Sequence, residues 1–154
     1  MTPTSEPDLQ NGAFPGHRDL AGKSAVVTGA TEGIGFHTAR LLASRGATVL
    51  ITGRNPERGS AAVEAIRQEA RHQRVEFVSV DHSTIAANER LAAALSERFD
   101  SLDVLVNNVG GIYGRRLVSA DGFEMSLALN FLAPFVLTEA ILPPLAGARA
   151  QPAA

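Results

Sequence analysis

The residues best suited to chemistry form a glycine-rich stretch near the start of the chain, which reads TGATEGIG from Thr28 to Gly35. A short apolar run, Ser24 to Val27, precedes it, and a helical pattern from Ile34 to Arg45 follows it. A glycine turn between a strand and a helix leaves backbone N–H groups and the positive end of the helix free to bind phosphate. The sequence therefore predicts a site for the diphosphate of a dinucleotide, shaped by Gly29, Gly33 and Gly35.

The choice of dinucleotide depends on the end of the second predicted strand, which reads TGRN from Thr52 to Asn55. In dinucleotide sites a carboxylate at this point binds the ribose 2′-hydroxyl of NAD, whereas an Arg accommodates the 2′-phosphate of NADP. Arg54 occupies the position here, which favours NADP over NAD as the cofactor. A solvated loop arginine is the alternative interpretation of Arg54, and the carboxylate of Glu32 in the glycine stretch argues in the opposite direction.

The stretch TGATEGIG resembles the TGxxxGxG cofactor motif of the short-chain dehydrogenase/reductase family. Three further matches follow in the family's order: Asp81, the run Asn107 to Gly110 (NNVG), and Asn130. The resemblance spans residues 20–145, and the segment around Asn130 is most similar to the retinol dehydrogenase-like branch. It implies an α/β fold with a Rossmann-type, doubly wound parallel sheet. It also implies an oxidoreductase that transfers hydride between a nicotinamide and a carbonyl or alcohol carbon.

The resemblance also implies roles for individual residues. Asp81 would bind the adenine, and NNVG, with Val109 where the family has Ala, would close the cofactor cleft. Asn130 is the only family catalytic position present, and its backbone carbonyl would hold a water in a proton relay. The alternatives are a helix cap for Asp81, an Asx turn for the two amides, and a core hydrogen bond for Asn130. The predicted cofactor-binding residues are Thr28, Gly29, Thr31, Glu32, Gly33, Ile34, Gly35, Arg54, Asn55, Asp81, His82, Asn107, Asn108, Val109 and Gly110.

The family's proton chemistry requires a Tyr, a Lys four residues after it, and a Ser that orients the substrate oxygen. This sequence has one tyrosine, Tyr113, and one lysine, Lys23, and Leu117 stands four residues after the tyrosine. Tyr113 also precedes Asn130, whereas the family's Tyr follows that Asn. We therefore interpret Tyr113 as a loop or substrate-side residue and expect no dehydrogenase turnover from this chain alone.

Alternating strand and helix patterns predict the elements that position these residues. We expect strands at 24–27, 47–52, 75–80 and 102–106, and helices at 34–45, 56–71, 84–99 and 122–142. Asn55 is predicted to cap the second helix and Asp121 the last one, Pro134 to kink or locally open that helix, and Pro143-Pro144 to end it. The alternation predicts a parallel sheet of strand order 3-2-1-4, truncated after about four strands.

Length and composition limit the alternatives. The 154 residues suffice for one domain, which we divide into a flexible leader (1–22), an incomplete nucleotide-binding domain (23–145) and a tail (146–154). A net charge of −2 gives no electrostatic case for nucleic acid or an anionic membrane, and without cysteine there is no thiolate catalysis. The histidines show no metal-binding spacing. The apolar run 131–146 is broken by Glu139 and prolines and is taken as too short for a bilayer, so a cytoplasmic location is expected.

Three functions stay open at this point. The chain is the cofactor-binding half of an NADP-dependent oxidoreductase, a nucleotide-binding module without turnover, or an inactive truncated gene product. The expected partners are a small carbonyl or alcohol substrate and further copies of the chain, because the family is usually homo-oligomeric. A sheet that stops at the fourth strand leaves that strand's edge open, so we expect the isolated chain to be marginally folded or prone to aggregate.

Overall fold

The computed structural model describes residues 20–145, which form a four-stranded parallel sheet with helices on both faces. The strands are β1 (Ser24–Val27), β2 (Thr48–Gly53), β3 (Val75–Ser79) and β4 (Val104–Val106). The first three helices are α1 (Gly33–Ser44), α2 (Pro56–Ala70) and α3 (Ile85–Arg98). The strand order is β3-β2-β1-β4, which confirms the predicted topology. Residues 20–22 form a turn, and the rest of the predicted leader and the predicted tail lie outside the described residues.

The core consists of two apolar layers, one on each face of the sheet. Alternate side chains of β1 point to opposite faces, so Ala25 and Val27 join the layer under α1 and α2, whereas Val26 joins the layer under α3. The central strands β1 and β2 are buried on both faces, which explains their continuous apolar sequences. This arrangement brings the carboxyl ends of all four strands to one edge of the sheet, where the predicted site residues meet.

The helix ends show why the local predictions for the first half of the domain were accurate. Gly46 has a φ of +96° and terminates α1 in the left-handed conformation that glycine tolerates. Asn55 is the N-cap of α2, and its side-chain oxygen accepts a hydrogen bond from the N–H of Arg58 at 2.8 Å. Pro56 stands at the first helical position, where its missing N–H costs nothing.

After β4, the described part of the chain contains one continuous helix, called the last helix below. It consists of a short α-helical turn, α4 (Met125–Leu127), a π-helical segment (Ala128–Leu132) and α5 (Ala133–Leu145). Pro134 lies two residues after the end of the π-helical segment, which agrees with the predicted local opening of the helix. The prediction that Pro143-Pro144 end the helix is wrong, because the helix continues to Leu145.

The start of the last helix also differs from the prediction. The helix begins at Met125 and not at Gly122, and its N-cap is Glu124, whose carboxylate accepts hydrogen bonds from the N–H groups of Ser126 and Leu127. These two backbone donors lower the pKa of Glu124, that of Ser126 most strongly. The carboxylate of Asp121 instead accepts the N–H of Ile85 at 2.6 Å, so it caps the first turn of α3 from a distant part of the chain.

The last helix is long and apolar enough to cross a membrane by length and composition, over Met125–Leu142. The sequence argument that this region is too short for a bilayer is therefore wrong. In the structure the same helix packs on α3, and its Leu137 and Ile141 are 1% and 0% exposed within the core. An apolar core helix passes the same test of length and composition, so the cytoplasmic location stays a prediction.

Candidate functional site

The glycine loop lies between β1 and α1, as the sequence predicts. Gly29 and Gly33 both adopt left-handed φ angles, +63° and +60°, which side chains rarely allow. A Cβ on Gly33 would meet no atom within 4 Å, so open space lies in front of this part of the loop. Ile34 is 82% exposed beside it. Gly33, Ile34 and Gly35 are the first three residues of α1, and their N–H groups have no partner within the helix.

Gly35 packs against the loop itself and against the end of β4. A Cβ at this position would overlap the side-chain nitrogen of Asn108 and lie 2.8 Å from the carbonyl oxygen of Gly29. The same nitrogen of Asn108 donates hydrogen bonds to the carbonyls of Thr28 and Gly29, both at 2.9 Å. Asn108 therefore fixes the direction of the loop, and Gly35 leaves the room that its amide needs.

Thr28 joins the ends of β1 and β4 through its buried hydroxyl group. The hydroxyl donates to the carbonyl of Val106 at 3.3 Å and accepts the N–H groups of Asn108 and Val109, each at 3.0 Å. One donor and two acceptor positions are thus all used. The backbone of Val109 lies against Gly29, where a Cβ would come within 3.0 Å of the Val109 Cα atom.

The end of β2 carries the predicted determinants of cofactor choice. Arg54 is exposed, and its carbonyl accepts a hydrogen bond from Ser79 Oγ at 3.3 Å. Glu32 is the N-cap residue of α1, and its carboxylate lies 3.5 Å from the guanidinium of Arg58 in the first turn of α2. Thr31 packs against Gly53, where a Cβ would lie 2.7 Å from the Thr31 methyl carbon. The glycine loop and the end of β2 therefore form one continuous surface.

Asp81 follows β3 at the same edge of the sheet. Its exposed carboxylate accepts the N–H of Ser83 at 3.0 Å, which makes a turn before α3. The helix-cap alternative does not hold, because Thr84 is the N-cap of α3 and Asp121 accepts the first helical N–H. The adenine-binding role of Asp81 stays a prediction.

His82 was predicted to bind the cofactor, but its side chain points into the protein. The ring is 2% exposed, Nε2 lies 2.7 Å from Thr52 Oγ1, and Nδ1 lies 2.7 Å from Asn88 Oδ1. Burial lowers the pKa of His82, and the hydrogen bond to Asn88 and the charge of Asp81 oppose this shift. The side chain of His82 therefore faces the interior, and the prediction that this residue binds the cofactor stays a prediction.

The two adjacent amides at the end of β4 have different surroundings. Asn107 is exposed, and its side-chain amide donates to Thr138 Oγ1 in α5 at 3.0 Å, whereas Asn108 holds the glycine loop. Asn107 thus connects β4 to the last helix, and its predicted place in the cleft lining stays a prediction. A mere Asx turn does not account for these contacts.

Asn130 lies in the π-helical segment and pairs with the loop after β4. It accepts the N–H of Gly111 at 2.8 Å and donates to the Gly111 carbonyl at 2.9 Å. Gly110 lies so close that a Cβ there would approach Asn130 Oδ1 to 2.8 Å. The alternative of a core hydrogen bond for Asn130 does not hold, because the residue is exposed. Pro134 has no N–H, so the carbonyl of Asn130 lacks its ordinary donor four residues later, and its catalytic role stays a prediction.

Sequence reasoning missed several residues of this region. Arg58 shares the edge with Arg54, and its position three residues after the cap Asn55 was the available signal. Thr52 contacts His82 from 30 positions earlier in the chain, a contact that no local pattern predicts, and Asn88 contacts it from six positions later.

The site has the chemistry that a dinucleotide requires. The start of α1 offers free N–H groups, and the glycines before it leave space that a Cβ would fill or strain. Arg54 and Arg58 stand at the neighbouring end of β2, and Arg58 lies beside Glu32, the one carboxylate of the loop. The residues present therefore fit a dinucleotide, with Gly33 to Gly35 near the diphosphate and Arg54 near the ribose.

Comparison with known proteins agrees with this geometry. Residues 23–151 match the family model described as short chain dehydrogenase. The short chain dehydrogenase/reductase dpchH of Colletotrichum higginsianum is 38% identical over 86% of this chain and 34% of its own length. Human retinol dehydrogenase 13 is 35% identical over 87% of this chain and 40% of its own length. The chain thus spans between a third and two fifths of the length of these relatives.

Among solved structures, the Pseudomonas aeruginosa RhlG/NADP active-site complex superposes with a TM-score of 0.71 at 34% identity. The match covers 88% of this chain and 53% of that one. Motif, strand order and sequence similarity point to the same conclusion. The chain belongs to the short-chain dehydrogenase/reductase family, in its retinol dehydrogenase-like branch.

Proposed function

We propose that the chain binds NADP as the cofactor-binding part of an oxidoreductase that acts on a small carbonyl or alcohol. The observation that carries the proposal is the open glycine loop at the start of α1, held in place by Asn108. The related RhlG/NADP active-site complex supports the same cofactor class. When bound, the cofactor would supply a hydride donor or acceptor at its nicotinamide ring.

Arg54 is the residue proposed to select NADP. It is exposed at the tip of β2, and no carboxylate among residues 20–145 forms an ion pair with it. Arg58 stands on the same side but lies next to Glu32, at 3.5 Å. That pair is largely exposed, with side chains 67% and 76% accessible, so Glu32 offsets part of the positive charge at little gain in stability.

Calorimetric titration with NADP+ and NAD+ tests the cofactor choice. We expect Arg54→Ala to weaken NADP+ binding by roughly 10- to 100-fold, the range for a charged hydrogen bond, and to leave NAD+ binding unchanged. Arg90→Ala, which removes an exposed arginine of α3, is the matched control for net charge. Equal binding of both dinucleotides, or equal losses in both variants, would contradict the role of Arg54.

A second function, dinucleotide binding without turnover, is favoured by one sequence fact. The chain contains no Tyr followed four residues later by Lys, so the family's proton donor has no counterpart among its 154 residues. We expect no reduction of NADP+ when the chain is mixed with a panel of primary and secondary alcohols. A measurable rate would show that another group supplies the proton transfer, whereas binding without a rate supports a module or a part of a larger enzyme.

A further inference from the structure

A buried chain of hydrogen bonds connects the start of α3 to the glycine loop, and the proposed function leaves it without a role. The side-chain amide of Asn88 donates to the carbonyls of Thr84 at 2.7 Å and His82 at 3.0 Å. Its nitrogen is thereby identified, and Oδ1 is the atom that faces His82 Nδ1 at 2.7 Å. Because Oδ1 only accepts, the hydrogen of the neutral imidazole lies on Nδ1.

The position of that hydrogen determines which atoms donate and which accept in the remaining hydrogen bonds of the network. His82 Nε2 is then an acceptor, and the hydroxyl of Thr52 donates to it at 2.7 Å. Thr52 Oγ1 in turn accepts the N–H of Gly29 at 3.3 Å, and the Thr52 carbonyl accepts the N–H of Ala30 at 3.0 Å. The N–H groups of Gly29 and Ala30 are thus turned inward, towards β2 and away from the open side of the loop.

Solvent hardly reaches this network. Thr52, His82 and Asn88 are 0%, 2% and 1% exposed, respectively. A small cavity beside the ring is lined on the side of the last helix by apolar residues: Phe123, Ala128, Leu132 and Ala133. A hydrogen bond lost here is not replaced by water, so each member strongly determines the position of the next.

We propose that Thr52 and His82 are positioning residues that preset the glycine loop for a dinucleotide, and that protonation of the His82 ring releases the loop. The binding part of this inference rests on the proposed function, whereas the hydrogen-bond part does not. A protonated ring carries hydrogen on both nitrogens, so it cannot accept the Thr52 hydroxyl hydrogen. The hydroxyl hydrogen of Thr52 would have to turn away from the ring, and Oγ1 would then accept hydrogen from both His82 Nε2 and the Gly29 N–H, which alters its contact with Gly29.

The groups around His82 determine when this occurs. Asp81, its neighbour in the chain, is the acidic group that favours the charged ring, and the carboxylate of Asp121 lies at the first turn of α3. Thr52 on β2 and Asn88 on α3 are neutral. Burial outweighs both the hydrogen bond to Asn88 and the charge of Asp81, so the pKa of His82 is lowered. The neutral His82 ring therefore contributes fully to the stability of the folded state above the ordinary histidine pKa of about 6.5. This contribution is lost as the pH falls from that value towards the lower pKa of the folded state.

Nuclear magnetic resonance of the full 154-residue chain tests the network without any cofactor. We expect the ring nitrogens of His82, assigned by comparison with His82→Gln, to show hydrogen on Nδ1 at neutral pH. On acidification the amide signal of Gly29 should shift, or disappear, at a higher pH than in His82→Gln. Hydrogen on Nε2, or a Gly29 signal with the same acid response in both proteins, would overturn the proposal.

Binding of NADP+ measured between about pH 5 and pH 8 tests the consequence for the site. The glutamine side chain in His82→Gln keeps an acceptor for Thr52 but does not titrate, and titration of the ligand's own phosphate cancels in the ratio between the two proteins. We expect acidification to weaken binding by about fivefold to tenfold more in the wild type than in His82→Gln. Equal pH profiles of two proteins that bind NADP+ would refute the coupling to the loop.

Thr52 provides the second test at neutral pH. Thr52→Val keeps the shape of the side chain but removes the hydroxyl, and we expect about tenfold weaker NADP+ binding. Thr52→Ser should restore binding to within about twofold, because the hydroxyl returns. Thr48→Val, the same change at the other end of β2, should have no effect. If no variant and no wild type binds NADP+, the proposed function fails, and the ring and Gly29 signals still decide the hydrogen-bond proposal.

Discussion

Side-chain contacts connect β1 to β4 at both ends of β1, and the two sets of contacts differ in their chemistry. At the amino end the Asp103 carboxylate accepts the N–H of Ser24 at 2.8 Å and the ammonium of Lys23 at 2.7 Å. At the carboxyl end the connecting groups are neutral: the side-chain amide of Asn108 donates to the Thr28 carbonyl, and the Thr28 hydroxyl accepts the N–H of Asn108. Backbone pairing of the two strands is the same along their length, so the side chains carry the difference.

The difference follows from what each end has to face. The carboxyl end holds the glycine loop, where the carboxylate of Glu32 already lies beside Arg58. A further carboxylate in place of the Asn108 amide would add negative charge next to the diphosphate that the loop is proposed to bind. Amide and hydroxyl groups hold the loop without adding charge. The amino end faces no proposed ligand, so a partly exposed ion pair serves there. The neutral contacts of Asn108 and Thr28 are therefore compatible with the proposed anionic ligand, whereas the backbone pairing of the strands is the same at both ends.

The largest effect is expected from filling the space that Gly35 leaves. In Gly35→Ala the new methyl group would collide with the Asn108 amide and with the loop backbone, so the loop must move. We expect loss of measurable NADP+ binding and a decrease of about 2 kcal/mol in the free energy of unfolding. Calorimetric titration and urea unfolding measure the two effects.

Gly114→Ala is the matched control for this change. A Cβ at Gly114 meets no atom within 4 Å, so the variant should lie within about 0.5 kcal/mol of the wild type and bind NADP+ equally. Normal binding by Gly35→Ala would show that the loop adapts more easily than its contacts suggest. It would also contradict the view that the contacts at the carboxyl end of β1 hold the glycine loop in one conformation.

The two neighbouring asparagines allow a sharper test of the same end. Asn108→Ala leaves the carbonyls of Thr28 and Gly29 without their donor, and we expect a loss of about 2 kcal/mol in unfolding free energy together with weaker NADP+ binding. Asn107→Ala removes one exposed contact with Thr138 and should cost about 0.5 kcal/mol. Both variants replace an asparagine with alanine, at adjacent positions. Equal costs would mean that burial of the amide does not distinguish the two positions.

The sequence predicted the fold well where the signals are local. The bounds of β1, α1, β2 and α2 were predicted to within one residue, because Gly46 and the Asn55-Pro56 pair mark helix ends by their own conformational preferences. The glycine loop was found for the same reason, since its three glycines are close together in the chain. Strand order followed from the alternation of elements.

The predictions failed where a partner comes from a distant part of the chain. Asp121 was expected to cap the helix that follows it, but it caps α3, whose first residue Ile85 lies 36 positions earlier. The partner of His82 is also distant in the chain, because its ring turns inward to Thr52, 30 positions earlier, and its predicted contact with a cofactor stays a prediction. Which side chain meets which depends on packing of the folded elements, and local sequence does not encode it.

The smallest expected effect concerns the amino end of β1. The hydrogen bond from Lys23, followed by that from the Ser24 N–H, lowers the pKa of Asp103. The stabilisation is therefore fully present above the ordinary carboxyl pKa of about 3.9 and is lost as the pH falls through the lower folded value. Asp103→Asn should cost at most about 1 kcal/mol at neutral pH, because the pair is partly exposed and an amide oxygen still accepts the Ser24 N–H. Urea unfolding should show the deficit shrinking in acid and in high salt, with NADP+ binding unchanged. A deficit independent of both, or weaker binding, would show that the two ends of β1 are not separate in function.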